Sequence, residues 1–233
     1  MSPSKGPPIA NQLLAALPKK EYQDLQSHLE EIPLVFEEIL YKPKTLISDV
    51  YFPNSGVISL LAGLNERATL EVGLVGKEGI LGLAIFMGVK TSQNRAVVQG
   101  EGSAMKMKAT AFRRECNNGG ALPSLMRRYS HSLLTQITQS AVCNQFHTVE
   151  ARLARWLLMT HDRMGHDEFQ MTQEFLSNML AMRRECVNKA AGKLQKRNLI
   201  RYSRGRLKVL DRAGLEAASC RCYETINDES NRC

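Results

Sequence analysis

The spacing of apolar residues changes several times along this chain, and each change marks a different kind of element. Leu13, Leu14, Leu17, Leu25 and Leu29 recur at helical intervals after Asn11, whose side chain can cap, and Pro18 breaks the run. From Ile32 to about Thr110 short apolar runs alternate with turn residues. Tyr51-Phe52 leads into Pro53-Asn54-Ser55-Gly56, Val57 to Leu61 follows, and then Asn65-Glu66. Gly73, Gly76, Gly79 and Gly82 recur every third position. This punctuation predicts a small antiparallel roll, with Arg95 to Gln99 and Ala104 to Lys108 as closing strands. Residues 1–10, with three prolines, read as a loose tail.

After Asn117-Asn118-Gly119-Gly120 the pattern turns helical. Leu122, Met126, Tyr129, Leu133, Ile137 and Ala141 form one apolar stripe over about six turns. It fits a helix packed on its own roll, and fits better a helix paired with its twin across a dimer axis. Glu150 to Met164 is a second helix with Leu153, Trp156 and Leu157 inward, ended by Gly165-His166-Asp167. Thr172 can cap a helix over Gln173 to Leu180, with a break at Ala181-Met182. Another helix follows over Arg183 to Lys196, with Val187, Ala190, Ala191 and Leu194 inward. Two helices joined by a short turn make a helix-turn-helix unit. Asn198 to Tyr202 and Leu207 to Leu210 then flank a Ser203-Arg204-Gly205-Arg206 turn, a hairpin wing with a basic tip.

The expected class is α+β. An antiparallel β-roll, with its N-terminal helix, takes residues 1–118. A dimerisation helix takes 119–145, a winged helix-turn-helix 146–217 and a C-terminal tail 218–233.

Charge adds direction to this layout. The 233 residues carry a net +8. His166 to Arg212 holds eleven Lys/Arg against five acids, a net +6. A charge so polarised is the electrostatic footprint of a nucleic-acid reader. Near the start of the second helix, Arg184 can fork onto guanine and Glu185 can accept from cytosine, with Lys189 one turn on. Thr172, Arg183, Lys193, Arg204 and Arg206 suit phosphates. The 43 % apolar content supports real cores. No run is long enough to span a membrane and no secretory signal is evident, so a cytoplasmic protein is expected.

Other chemistries find little support. Cys116, Cys143 and Cys186 read as small buried residues. Cys220-Arg-Cys222 is closer than the usual C-x2–4-C zinc spacing, and with Cys233 a fourth ligand is still missing, so free thiols and no metal are expected. No cysteine cluster near the N-terminus suits an iron–sulfur centre. His161-Asp162 and His166-Asp167 flank a helix end and read as capping and surface groups. The glycines from Gly73 to Gly79 lack the Gly-Lys-Ser/Thr ending of a phosphate loop. No catalytic set has recognisable spacing, so no enzyme is expected. The alternative is a ligand-binding roll with a helical tail that does not bind DNA.

The stretch Thr172 to Ile200 resembles the Crp–Fnr family of bacterial transcription regulators. Arg183-Arg184-Glu185-Cys186-Val187, with Lys189 and the ending Leu194-Gln195-Lys196-Arg197-Asn198-Leu199-Ile200, is similar to its recognition helix and the approach to its wing. Glu150 to Leu157, Asp211 to Leu215, Tyr51 to Ser59 and Val72 to Gly82 are also similar, so the resemblance covers roughly residues 10–217. It implies a homodimer that binds near-palindromic double-stranded DNA and meets RNA polymerase. It also implies that the roll is a cyclic-nucleotide-binding-like jelly roll, whose cassette carries Gly-Glu early and Arg-Ser/Thr-Ala later. Here Leu83 follows Gly82, and Asn94 stands in the arginine position with Arg95 displaced by one. A one-residue slip in a strand reverses the face a side chain takes. No cyclic nucleotide and no other cofactor is therefore expected, and the effector is unknown.

Overall fold

A computed structural model describes residues 9–64 and 69–232. Most of the expected N-terminal tail, the Asn65-Glu66 turn and Cys233 lie outside the described residues. The chain opens with α1 (Gln12–Ala15) and α2 (Lys19–Gln26), separated at Pro18. Buried Asn11 caps α1 by accepting from the Leu14 N–H at 3.1 Å. Its Nδ2 donates to the carbonyls of Pro53 and Gly79, which fastens the helix to the roll.

The roll contains β1 (Glu30–Leu34), β2 (Ile39–Tyr41), β3 (Asp49–Pro53), β4 (Val57–Gly63) and β5 (Thr69–Val75). A short α3 (Leu83–Phe86) precedes β6 (Arg95–Gly100) and β7 (Gly102–Lys108). Two antiparallel sheets result, ordered β1-β7-β3 and β2-β6-β4-β5. Gly56 makes the tight corner between β3 and β4 at φ +82°, where a Cβ would meet the carbonyls of Gly100 and Glu101. Strand alternation divides the second sheet between two cores. Ile58, Leu60, Ala96 and Val98 point into the roll with Phe52, Met107 and Phe112. Val57, Leu61 and Val97 point out of it.

After α4 (Ala109–Asn117), the long α5 (Leu122–Phe146) corrects part of the expected dimer stripe. Leu122, Met126 and Tyr129 are buried in the roll's own core, and Leu133 is half-buried against it. The Tyr129 ring occupies the space a side chain at Gly79 would need. Of the six, Ile137 and Ala141 lie beyond that core and keep accessible surface. The exposed apolar groups on the second half of α5 are Leu134, Val142 and Phe146.

The C-terminal region runs α6 (Val149–Met164), β8 (Glu168–Gln170), α7 (Gln173–Leu180), α8 (Arg184–Lys196), β9 (Ile200–Ser203) and β10 (Arg206–Val209). The short strands form a sheet ordered β8-β10-β9. Residues 218–233 are more than a tail. After α9 (Arg212–Ala218) comes α10 (Cys222–Ser230), which packs on α5 and α6 through Tyr223 and Ile226. This region shares a core with the outward face of the second sheet. Val57, Leu61, Leu74 and Val97 meet Leu153, Trp156 and Leu157 of α6, and the rings of Phe36 and Phe175 lie 5.5 Å apart. No helix among the described residues is long and apolar enough to cross a membrane.

Candidate nucleic-acid interface

Local chemistry fixes each part of the reader. Thr172 caps α7 by accepting from the Phe175 N–H at 3.1 Å. α7 ends at Ala181, which sits in the left-handed region at φ 49°, ψ 46°. Buried Arg152 of α6 donates from Nη2 to the Leu180 carbonyl at 2.7 Å, which satisfies an orphan acceptor at the end of α7. Sequence reasoning missed this anchor, because an arginine in a helix reads as surface. Val187, Ala190, Ala191 and Leu194 are buried as expected. The helix starts one residue later than expected, with Arg183 as its N-cap.

Packing that apolar face turns Arg184, Glu185 and Lys189 outward, all exposed. Asn188, one turn after Arg184, is exposed too, and its amide suits adenine. Its position on the same face was the available signal. Cys186, expected to be buried, is exposed. In the wing, Arg204 and Gly205 both take positive φ (49° and 75°), a two-residue turn of the primed type that matches strand twist. It leaves Arg204 and Arg206 exposed at the tip, while Thr172 is half-buried beside it.

Several of these cations already hold carboxylates. Arg184 pairs with Glu174 of α7 at 2.7 Å. Lys193 and Arg197 both reach Glu150, each at 3.2 Å. Arg206 lies 3.5 Å from Glu168. Exposed pairs of this kind contribute little and exchange readily for phosphate.

The cassette-like positions lie apart from this surface. Gly82 starts α3 at φ +114°, Leu83 is buried in the roll core, and Asn94 and Arg95 are half-buried. Arg95 Nε is buried with no hydrogen-bond partner among the described residues.

Two polar clusters join the reader to the rest. In the first, Trp156 Nε1 donates to Glu71 Oε1 at 2.8 Å. Ser59 Oγ lies 2.8 Å from Glu71 Oε2 and 2.6 Å from Gln99 Oε1, and Gln99 Nε2 donates to Thr160 Oγ1 at 2.8 Å. One hydroxyl hydrogen cannot serve two acceptors. A protonated Glu71 that donates to Ser59 completes the chain. Burial pushes the Glu71 carboxyl up to about 7, against the opposing effect on the ionised form of hydrogen bonding with Ser59 and Trp156 and of the charges of Arg155 and Arg163. Nearby, Arg163 Nε pairs with Glu78 at 2.7 Å, largely out of solvent.

The second cluster is Cys143, His147, Cys220 and Cys222, whose donor atoms all lie within 4.8 Å of one another. The hydrogen bond between Cys143 and Cys220 pushes the Cys143 thiol up and holds Cys220 below the ordinary range. The C-terminal cysteines lack a fourth donor along the sequence, but α5 supplies two more in space. His161 instead pairs with Asp167 and Arg212.

Residues 151–218 match the Crp-like helix-turn-helix domain. No curated protein matches the chain. Among solved structures, FixK2 from Bradyrhizobium japonicum has a TM-score of 0.69 at 14 % identity, over 82 % of this chain and 98 % of that one. A CRP/FNR-family transcriptional regulator from Thermus thermophilus gives 0.65 at 19 %, over 82 % and 98 %. The c-di-GMP-responsive global regulator CLP from Xanthomonas campestris gives 0.65 at 14 %, over 82 % and 99 %. The chain therefore carries a Crp-like helix-turn-helix domain over residues 151–218, its basic helix outward, within the overall fold of these solved regulators, and this domain makes it a DNA-binding transcription regulator.

Proposed function

We propose that the chain acts as a homodimer that reads a near-palindromic operator through α8. Arg184, Glu185 and Lys189 meet base edges, and Arg183, Lys193, Arg204 and Arg206 hold phosphates. One observation carries this reading: α8 buries its apolar face completely and presents those three base-reading side chains on its exposed side. Dimerisation uses the second half of α5, where Leu134, Val142 and Phe146 are exposed and Ile137 and Ala141 remain accessible. The regulator works on its DNA in the cytoplasm without enzymatic chemistry and meets RNA polymerase there.

We further propose that the roll binds no cyclic nucleotide. Leu83, buried where a ribose-binding glutamate would stand, supports this, as does the displaced Arg95. Losing two charge-assisted bonds removes on the order of 3–6 kcal/mol of binding. Titration calorimetry with cyclic AMP and cyclic GMP is expected to show no saturable heat, and micromolar affinity for either would overturn this part.

Selection of bound sequences from random double-stranded DNA tests the main reading. It should return two inverted half-sites about one helical turn apart. Arg184→Ala should lose sequence preference while keeping weak, salt-sensitive binding. No enrichment with the wild-type chain, or unchanged preference in the variant, would refute the assignment.

A further inference from the structure

We propose that Cys143, His147, Cys220 and Cys222 form a zinc site that ties the end of α5 to the turn between α9 and α10. The Cys143 and Cys220 sulfurs are 3.4 Å apart, and Cys222 Sγ lies 3.7 Å from His147 Nδ1. Zinc bonds of about 2.3 Å to sulfur and 2.0–2.1 Å to nitrogen, set at tetrahedral angles, give edges of about 3.8 Å and 3.5 Å. Those two contacts fall within a few tenths of an ångström of the shell's edges, and all four donor atoms lie within 4.8 Å of one another.

The backbone explains how two remote segments meet. Cys143 is in the last turn of α5, and His147 is that helix's C-cap, its N–H donating to the Cys143 carbonyl at 3.2 Å. Four residues apart on a helix, the two side chains project to one side. Cys220 and Cys222 flank Arg221, the N-cap of α10. All three cysteines are buried, and the only other apolar group packed with them among the described residues is Ala151. A packing role would favour carbon there, whereas three sulfurs and an imidazole favour a soft or borderline ion over calcium or magnesium.

The surrounding charge agrees. Three thiolates, one neutral imidazole and Zn²⁺ sum to −1. Arg155 is buried at 5 % exposure, makes no carboxylate ion pair among the described residues, and its charge reaches all three sulfurs. It is the counter-ion that such a centre needs. Uptake is balanced by release of three protons, one from each thiol. The metal would staple the joint between α5 and α6, where the reader leaves the long helix.

The test uses the full-length chain, purified with a thiol reductant and no chelator. Elemental analysis is expected to find one zinc per chain. The metal-stripped chain titrated with Co²⁺ alone should show the intense visible bands of tetrahedral cobalt and a sulfur-to-metal charge-transfer band. Cys220→Ser should weaken zinc retention by on the order of 100-fold or more, beyond the effect of outer-shell changes. If that variant fails to fold, His147→Cys, which restores a four-ligand set, and Cys186→Ser, which lies outside the cluster, should each hold one zinc. A folded wild-type chain that takes up neither metal would overturn the proposal. So would an octahedral cobalt spectrum, or a Cys143–Cys220 disulfide in the fresh metal-free chain. Metal content is read without DNA, so a failure here leaves the DNA-binding assignment standing.

Discussion

Replacing Glu71 by Gln is expected to remove a specific pH dependence from the joint between roll and reader. Glu71 is held at about 7, against 4.5 for an ordinary glutamate. That difference corresponds to roughly 3 kcal/mol of preference for the neutral form. Below the unfolded value both states are protonated, and the group contributes no pH dependence. Between about 4.5 and 7 the unfolded chain gives up its proton while the folded chain keeps it. Stability then falls as pH rises, by about 1.4 kcal/mol per unit, and the full loss is reached above pH 7. The amide of the Glu71→Gln variant would still accept from Trp156 and donate to Ser59, without a proton to lose. The variant should match the wild type within about 1 kcal/mol at pH 5 and exceed it by about 2–3 kcal/mol at pH 8. Urea titrations at both pH values can follow Trp156, the chain's only tryptophan and itself a member of the network. All other groups are common to both proteins, so the difference between them isolates Glu71. Parallel pH profiles for the two proteins would refute the reasoning.

Four other changes test separate parts of the structure. Ala181→Gly relieves the left-handed residue in the helix-turn-helix turn and should add about 0.5–1 kcal/mol, after the entropy glycine gives the unfolded chain; a melting temperature that fails to rise counts against the turn geometry. Gly79→Ala drives a methyl group into the Tyr129 ring and should cost about 1–3 kcal/mol in denaturant titration; a neutral result would show that α5 does not press on that backbone. Leu134→Glu places charge on the proposed dimer stripe while sparing the roll core, so sedimentation equilibrium should show monomers, and an unchanged dimer would move the interface elsewhere. Glu150→Gln frees Lys193 and Arg197, so the logarithmic salt dependence of DNA binding should steepen by up to about 2; an unchanged slope would mean that neither cation reaches phosphate.

The reader was legible because its determinants are local. A cap at Thr172, a buried face at Val187, Ala190, Ala191 and Leu194, and a wing turn at Arg204-Gly205 each lie within a few residues of what they control. The stripe on α5 was half legible. Helical periodicity reports that Met126 and Tyr129 are covered, but a roll and a twin helix cover them with the same spacing. An α-helix also drifts relative to a seven-residue repeat, so one continuous stripe can serve the roll at one end and face outward at the other. Cys143 and Cys220 stand 77 positions apart, and no ligand-spacing rule within one segment can join them. α10 escaped notice because Tyr223 and Ile226 are too few apolar residues to mark a helix.

The unforeseen features converge on α6. Arg152 holds the helix-turn-helix turn, Arg155 faces the cysteine cluster, Trp156 and Thr160 join the Glu71 chain, and Arg163 pairs with Glu78. Leu153 and Leu157, between them, carry the apolar contact with the roll. Burial of apolar area holds the two bodies together without regard to orientation. The polar side chains do have direction, and each becomes costly if its partner moves while it stays buried. A change in where α8 points must therefore disrupt several of these contacts together, which favours two discrete arrangements over a continuum. Signals able to choose between them would alter a charge along this helix: a proton on Glu71, the proposed metal among the thiols, or the proposed DNA phosphates drawing Lys193 and Arg197 away from Glu150.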